Sequence, residues 1–422
     1  MGRLTLLIIL SVFILALDYY CYKAILSVFK NWRPLIKRLF TSIWWGYSLF
    51  LIAGVFISIF ITIPSAYLGL RSIILVAFFL SLACKIVLLP FVLIDDLRRG
   101  FLKVTGRKKH NSNIESIQNL SAPESQISRS EFLIKAGLVT AAIPLTSLTW
   151  GIASGAYDYQ VKRRTLVLPN LPASFEGIKL GQISDVHSGS FYNQKAVRGG
   201  IDLLMAEKPD LIFFTGDLVN DMATEMRDYQ DIFSKVKAPL GVYSTLGNHD
   251  YGDYRFGREA SPEKARNLQD VIKTHERMGW DLLMNENRRI KVDGEEIGVL
   301  GIENWGMGRF PRYGKMELAT KDTDDLSVKL LLSHDPSHWR AEVLEKYPQI
   351  DAMFSGHTHG MQFGVRTKDF QWSPVQYIYK EWAGLYTANK QQLYVNVGFG
   401  FLGYPGRVGI LPEITIFELK RA

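Results

Sequence analysis

Apolar positions along this chain follow two rhythms. Through the first 155 residues they run on in long blocks, and after about Thr165 they break into short bursts that stop at polar clusters. Three early blocks are long enough to cross a bilayer, which takes about 20 helical residues: Leu4 to Tyr22, Ile43 to Ile63 and Ser72 to Ile94. A helix of a soluble protein keeps one polar face, whereas these blocks are apolar all round. Residues 1–94 are therefore expected to hold three transmembrane helices. Residues 95–131 are expected to form a polar linker, basic at Arg98, Arg99, Lys103, Arg107, Lys108 and Lys109, then rich in Ser, Asn and Gln. A fourth block, residues 132–156, is less hydrophobic and contains Pro144. It suits a fourth span, a relic signal sequence or a helix lying on the membrane. Its entry, Ser128-Arg129-Ser130-Glu131-Phe132-Leu133, resembles a twin-arginine export signal with Ser130 in place of the second arginine.

Charge changes where the hydropathy does. Up to Gly155 there are 16 Lys and Arg against 6 Asp and Glu, and after it 33 against 35. The excess of +8 thus belongs to the membrane half, and no nucleic-acid partner is expected from it. Basic loops favour the cytoplasmic side. Placing Lys23 to Arg38 and Arg98 to Lys109 inside puts residues 165–422 outside if the fourth block spans, and inside if it does not. The expectation is an integral protein of a bacterial inner or cell membrane with an extracytoplasmic second half. Asp18 and Lys85 lie at membrane depth and are expected to snorkel to an interface, with an ion pathway as the alternative. Both cysteines, Cys21 and Cys84, sit in the membrane half, so the second half has neither a disulfide framework nor a cysteine zinc site.

In the second half, five strand-like bursts end in metal-capable residues. Lys179–Ser184 leads to Asp185-Val186-His187, and Asp210–Thr215 to Gly216-Asp217. Gly241–Leu246 leads to Gly247-Asn248-His249-Asp250, Val328–Leu332 to Ser333-His334, and Ile350–Phe354 to Gly356-His357-Thr358-His359. Helical stretches intervene near Gln194–Glu207 and Glu263–Met278, and a hairpin turns at Asp293-Gly294. Alternating strands and helices predict an α/β domain with its site at the carboxyl edge of the sheet. Hard carboxylate oxygens and imidazoles suit two divalent cations. Such a pair, roughly 3.5–4 Å apart, activates a hydroxide and clamps a phosphoryl group. Gly216, Gly247 and Gly356 would permit sharp turns and close approach of a substrate. His110, His275 and His338 fall outside these clusters and are expected at the surface or in the linker.

These motifs, in this order, resemble the calcineurin-like metallophosphoesterase family from Lys179 onward. Together with the membrane segment, the closing stretch Asn396-Val397-Gly398-Phe399-Gly400 through Pro405-Gly406-Arg407 to Pro412-Glu413-Ile414 resembles its bacterial, membrane-anchored YaeI/YkuE-type branch. The resemblance implies a four-layer αββα sandwich. It implies that Asp185, His187 and His359 hold one metal, that Asn248, His334 and His357 hold a second, and that Asp217 bridges them. It assigns His249 to the phosphate or the leaving oxygen. The position that orients this histidine in related phosphatases is Asn220 here, with Asp221 next. Mn2+ is the implied metal, with Fe or Zn2+ as alternatives.

The substrate is expected to be a phosphoester at the membrane, a phosphodiester on a lipid or nucleotide-lipid above others. The alternatives are a UDP-2,3-diacylglucosamine-type pyrophosphate hydrolase and a non-catalytic sensing module. Trp305, Arg309, Phe310, Arg312 and Tyr313 form a candidate substrate wall, with an ordinary surface loop as the alternative. Phe363, Phe370, Trp372, Tyr377, Tyr379, Trp382 and Tyr386 form a second aromatic cluster that suits either a membrane interface or a core. Arg407 is a further candidate for phosphate contact.

Overall fold

The computed structural model describes residues 3–60, 68–105 and 128–422. Arg107, Lys108, Lys109, His110, the linker up to residue 127 and the end of the second expected span lie outside the described residues. The chain divides into two units, Met1–Thr149 and Trp150–Ala422.

Four long helices occupy the first part: α1 (Arg3–Val28), α2 (Pro34–Phe60), α3 (Leu68–Val104) and α4 (Arg129–Ala153). All four are long and apolar enough to cross a membrane. Two boundaries differ from expectation. Helix α2 starts ahead of its apolar block because Pro34 suits a first helical position, and so Lys37 and Arg38 are helical rather than looped. Helix α3 continues past Ile94 into the expected linker. There Arg98 reaches Asp95 at 2.8 Å and Arg99 reaches Asp96 at 2.7 Å, pairs one helical turn apart that support the extension. Asp18 and Lys85 do not snorkel. They pair with each other between α1 and α3, and the Lys85 ammonium lies 5.6 Å from the Trp44 ring centroid.

The second unit is a sandwich of two six-stranded sheets. The strands are β1 (Gln160–Val167), β2 (Lys179–Ile183), β3 (Leu211–Thr215), β4 (Val242–Thr245), β5 (Asp281–Leu282), β6 (Glu286–Val292) and β7 (Glu295–Gly301). After these come β8 (Lys329–Leu332), β9 (Ala352–Ser355), β10 (Val365–Arg366), β11 (Gln371–Trp372), β12 (Gly384–Ala388), β13 (Gln391–Val395) and β14 (Glu413–Lys420). The sheet orders are β1-β14-β2-β3-β4-β5 and β12-β13-β9-β8-β7-β6, with β10-β11 a separate hairpin. Strand β1 begins at Gln160, ahead of Thr165, and lies parallel to β14 along its whole length.

Strands β3, β8 and β9 are buried at every position, the pattern of parallel strands covered on both faces. Between the sheets Phe354 meets Phe213 and Phe417 edge-on, at centroid distances of 5.1 and 5.4 Å. On the outer face of the first sheet, α5 (Gln194–Ala206), α6 (Gln230–Phe233) and α8 (Pro262–Met278) bury Ile201, Phe233 and Val271. The short helix α7 (Asp253–Phe256) precedes α8. On the other side, α9 (Met316–Ala319) and a wide turn at Trp339–Val343 leading into α10 (Leu344–Lys346) cover Leu331 and Met353. This is the expected four-layer αββα arrangement behind an α-helical membrane region.

Two histidines expected at the surface are in the core. Asn267, Val271, Thr274, His275 and Met278 recur at helical spacing on the inner face of α8, so His275 points inward and its Nδ1 meets Ser244 Oγ at 3.0 Å. His338 is also buried, between Ser333 Oγ at 3.0 Å and Glu342 at 3.3 Å. Burial lowers the His275 pKa from 6.5 to about 3. A folded-state value below the unfolded one means that the unfolded chain binds the extra proton. The stability due to neutral His275 is present above pH 6.5 and is lost as pH falls toward 3. The thermal unfolding midpoint of the full chain in detergent should fall over this window, and His275→Gln should flatten the fall; identical slopes would contradict the assignment.

Candidate metal centre

The carboxyl ends of β2, β3 and β4 lie side by side because these strands are parallel neighbours, and β8 and β9 present theirs in the same way from the other sheet. Residues that follow four of these ends, those of β2, β3, β8 and β9, form two clusters, Asp185 with His187 and His359, and Asp217 with His334 and His357. Within each cluster the candidate ligand atoms lie within 4.8 Å of one another. His187 Nε2 is 3.0 Å from His359 Nε2, which is 3.2 Å from Asp185 Oδ1. His334 Nε2 is 3.3 Å from His357 Nδ1 and 3.1 Å from Asp217 Oδ2. The same Asp217 oxygen is 3.5 Å from His187 Nε2, so it touches both clusters.

Sharp turns at the strand ends make this convergence possible. Asp185, His187, Asp217, His357 and His359 all have left-handed backbones, with φ between 48° and 73°. Such conformations cost about 1–3 kcal/mol each and persist where surrounding bonds over-determine them. Asp250 supplies several of those bonds. Its carboxylate accepts the backbone N–H groups of Asp217 (2.9 Å), Leu218 (2.8 Å), Val219 (3.2 Å) and Gly247 (2.9 Å), tying two site loops together. The closing segment holds the third loop, with Phe399 N donating to Ser184 O at 2.7 Å and Gly400 N to Asp185 O at 2.8 Å. The glycines serve the ligands rather than a substrate. A Cβ on Gly247 would lie 2.2 Å from Asp217 Oδ1, and one on Gly356 2.1 Å from Asp185 Oδ2.

Hydrogen bonds set which ring nitrogen faces the site. His334 Nδ1 lies 2.7 Å from the Thr215 carbonyl, which requires an N–H there and frees Nε2. His357 Nε2 lies 2.7 Å from the Tyr379 hydroxyl, leaving Nδ1 toward His334. Asn248 donates from Nδ2 to Tyr254 Oη at 3.1 Å, while its Oδ1 is buried without a hydrogen-bond partner. His249 Nδ1 lies 2.7 Å from the main-chain carbonyl of Asn220, so the backbone rather than the Asn220 or Asp221 side chain orients this ring. Among the described residues no hydrogen bond engages its Nε2, and Tyr254 stacks on its face at 4.5 Å.

The electrostatics call for cations. Burial pushes the Asp185 carboxyl up, but His359 and His334 outweigh it and hold it well below the usual range. Burial also opposes the charge of Asp217, and His334 and His249 overcome it in the same way. His334 in turn is pushed up to about 10, because Asp217 and Asp185 overcome its own burial, so its Nε2 carries a proton that a bound metal would displace. Two interior carboxylates surrounded by imidazole nitrogens match the donor chemistry of divalent metals, and the buried Asn248 Oδ1 is a further oxygen donor of the same kind.

Around the pair stand aromatic side chains. Phe310 meets His357 edge-on at 4.8 Å, which places part of the expected wall at the site. Trp305 is buried against His338, with the Arg312 guanidinium 4.6 Å from its ring centroid. Tyr313 packs on Tyr251 at 4.6 Å. Arg309 is exposed, and its carbonyl accepts from Arg258 at 2.6 Å. Arg407 does not face a phosphate position. It is buried, donating to the carbonyls of Gly400 (2.9 Å), Val397 (2.9 Å) and Ile410 (3.2 Å), with one nitrogen 3.3 Å from His359 Nδ1. Sequence reasoning gave no role to Asp250, although it closes the Gly247–Asp250 motif, nor to Tyr254 or Asp335. Asp335 is buried beside His334, with its Oδ2 3.6 Å from His357 Nε2.

Residues 3–156 match the family described as "Probable Calcineurin-like phosphoesterase, transmembrane domain", and residues 178–361 match "Calcineurin-like phosphoesterase". The chain is 29% identical over 280 residues to the uncharacterized metallophosphoesterase YkuE of Bacillus subtilis, covering 64% of this chain and 91% of that protein. It is 28% identical over 243 residues to the phosphodiesterase YaeI of Escherichia coli, covering 56% and 80%. It is also 26% identical over 293 residues to a "Transmembrane protein with metallophosphoesterase domain" of Danio rerio, covering 68% of this chain. The match spans 62% of that relative, less than two thirds of its length. Four apolar helices and the matched transmembrane segment together make this a membrane protein.

Proposed function

The chain belongs to the calcineurin-like metallophosphoesterases, and on that premise we propose that its second half hydrolyses a phosphodiester on a membrane-associated substrate, a lipid or nucleotide-lipid headgroup. The observation that carries this reading is the Asp217 carboxylate oxygen shared between two clusters of buried ligands. Asp185, His187 and His359 would hold one metal, Asn248, His334 and His357 the other, and Asp217 both. Mn2+ is the proposed ion, with Fe and Zn2+ as alternatives for the same nitrogen and oxygen donors. Two such ions supply Lewis acidity toward a phosphoryl oxygen and lower the pKa of water.

The protein groups divide the remaining work. Asn220 O fixes the His249 ring so that Nε2 is available to protonate the leaving oxygen. Tyr254 restricts that ring from its other face and engages Asn248, coupling the acid to the metal cluster. Phe310 and Tyr379 flank His357 and exclude water from that side. Arg309, exposed on the Phe310 loop, is the proposed contact for a substrate's outer phosphate. Arg407 holds the closing loop and His359.

The second half is proposed to be extracytoplasmic. Lys23 at the end of the first span, Lys30 and Arg33 between the first two, and Arg98, Arg99 and Lys103 at the end of the third, favour one cytoplasmic side. Four crossings then leave residues 160–422 on the other side. An alkaline phosphatase fusion at the C-terminus should be active and a green fluorescent protein fusion dark; the reverse pattern would put the site in the cytoplasm.

The full chain in detergent, supplied with Mn2+, Fe2+ or Zn2+ in turn, should hydrolyse bis-p-nitrophenyl phosphate. Asp217→Ala should abolish turnover. His249→Gln should lower kcat by about 10²–10⁴-fold with metal retained. Activity unchanged by Asp217→Ala would refute the dinuclear reading. No turnover with any metal, despite bound metal, would leave a sensing module.

A further inference from the structure

Just past His359 the chain builds a surface that the metal chemistry does not use. Met361, Phe363, Val365, Phe370, Tyr377 and Ile378 are exposed, Tyr377 at 77%, Ile378 at 67% and Phe370 at 59%. The expected aromatic cluster divides here: Trp382 is core and Tyr379 touches His357, while Phe363, Phe370 and Tyr377 face outward. The outward part is not a loose loop. The β10-β11 hairpin pairs Val365 with Trp372, and a helical turn at Pro374–Tyr377 is capped by Ser373. Six exposed apolar side chains within one hydrogen-bonded segment mark a site of contact.

The backbone indicates what covers it. Val408 N donates to Gln362 O at 2.8 Å, and Gly364 N donates back to Val408 O at 2.9 Å. Gln362 Nε2 donates to the carbonyls of Tyr404 (2.7 Å) and Gly406 (3.0 Å). The same 404–408 loop is bonded to the last turn of α4, where Arg407 N donates to Gly151 O at 3.2 Å. The fit is close enough that a Cβ on Gly151 would lie 2.6 Å from Tyr404 Oη. One hydrogen-bonded loop therefore links the apolar surface to residue 151, in the last turn of a helix long and apolar enough to cross a membrane. That last turn carries Trp150, 71% exposed, a residue type that concentrates where helices leave a bilayer. Lys368 and Lys380, both exposed, flank the apolar side chains, where ammonium groups can meet lipid phosphates.

We propose that residues 361–378 form an apolar ledge that seats in the headgroup region of the bilayer that α4 enters, holding the His357–His359 edge of the site against lipid headgroups. Insertion of aromatic and aliphatic side chains at that depth gains burial without moving backbone polar groups into hydrocarbon. The ledge concerns where the protein touches the membrane, and it is testable whether or not the site turns over a phosphodiester.

The test uses the full chain with Cys21→Ala and Cys84→Ala, one copy per nanodisc of phosphatidylethanolamine and phosphatidylglycerol. A spin label is placed at Tyr377→Cys or, as the reference, at Lys390→Cys. Lys390 lies in the turn before β13, at the opposite end of that strand from the site. The label at 377 should collide with lipid-dissolved oxygen and be shielded from a water-soluble nickel chelate by about 10-fold relative to the label at 390. Equal chelate access at the two positions overturns the proposal. So does shielding that arises only when two copies share a disc, since a second copy is then the occupant. If the cysteine-free background does not fold, hydroxyl-radical footprinting of the unmodified chain in the same discs decides. Protection of Met361 and Tyr377 relative to exposed Leu203 supports the ledge, and equal modification overturns it.

Discussion

Asp185 and Asp217 carry negative charge in the protein interior, where an ionised carboxylate costs several kcal/mol even after the surroundings relax. Apolar packing cannot answer that charge, and the arrangement around them follows from the need to do so. Imidazole nitrogens converge on the two carboxylates from three strand ends, with ring orientations set by carbonyl and hydroxyl partners that keep one ring nitrogen pointed inward. The convergence in turn demands left-handed backbone at five residues, which the Asp250 carboxylate and the closing segment hold in place. The two sheets exist, for this purpose, to bring five carboxyl ends to one edge. The aromatic core between them, Phe213, Phe354 and Phe417, fixes their separation.

Much of this was legible along the chain because the signals are local. A fully buried parallel strand is a continuous apolar run, and a run that stops at Gly-Asp or Gly-His-x-His displays both a strand end and its cargo. Six of the seven expected metal residues, all but Asn248, gather in two clusters at one edge, and the His249 ring lies 4.9 Å from that of His187. An α/β domain and the four membrane-length helices follow from the same periodicities, whereas the four-layer sandwich is what the family resemblance implies.

Other features left no local mark. The group that orients His249 is a main-chain carbonyl, and every residue has one, so the resemblance pointed to Asn220 but its side chain gave no sign that the backbone plays the part. Arg407 looked like a phosphate ligand because arginine in a glycine-rich loop often is one; here burial by the folded loop turns its donors toward carbonyls. Histidine is polar, and composition alone puts His275 and His338 at the surface, yet each has a hydroxyl partner in the core. The charged start of the expected linker is helix because its charges pair across a turn, which composition does not reveal. The outward face of the 361–378 segment could not be separated from its core-facing half without knowing which aromatic side chains the sheets had already buried.

The central claim is that one carboxylate, Asp217, joins two metal positions. Electron paramagnetic resonance of the full chain loaded with Mn2+ tests it most directly. Two ions bridged by Asp217 should give the broad multiline signal of an exchange-coupled pair, and Asp217→Ala should remove that signal. A spectrum showing only isolated Mn2+, one ion per chain and unaffected by Asp217→Ala, would contradict the account.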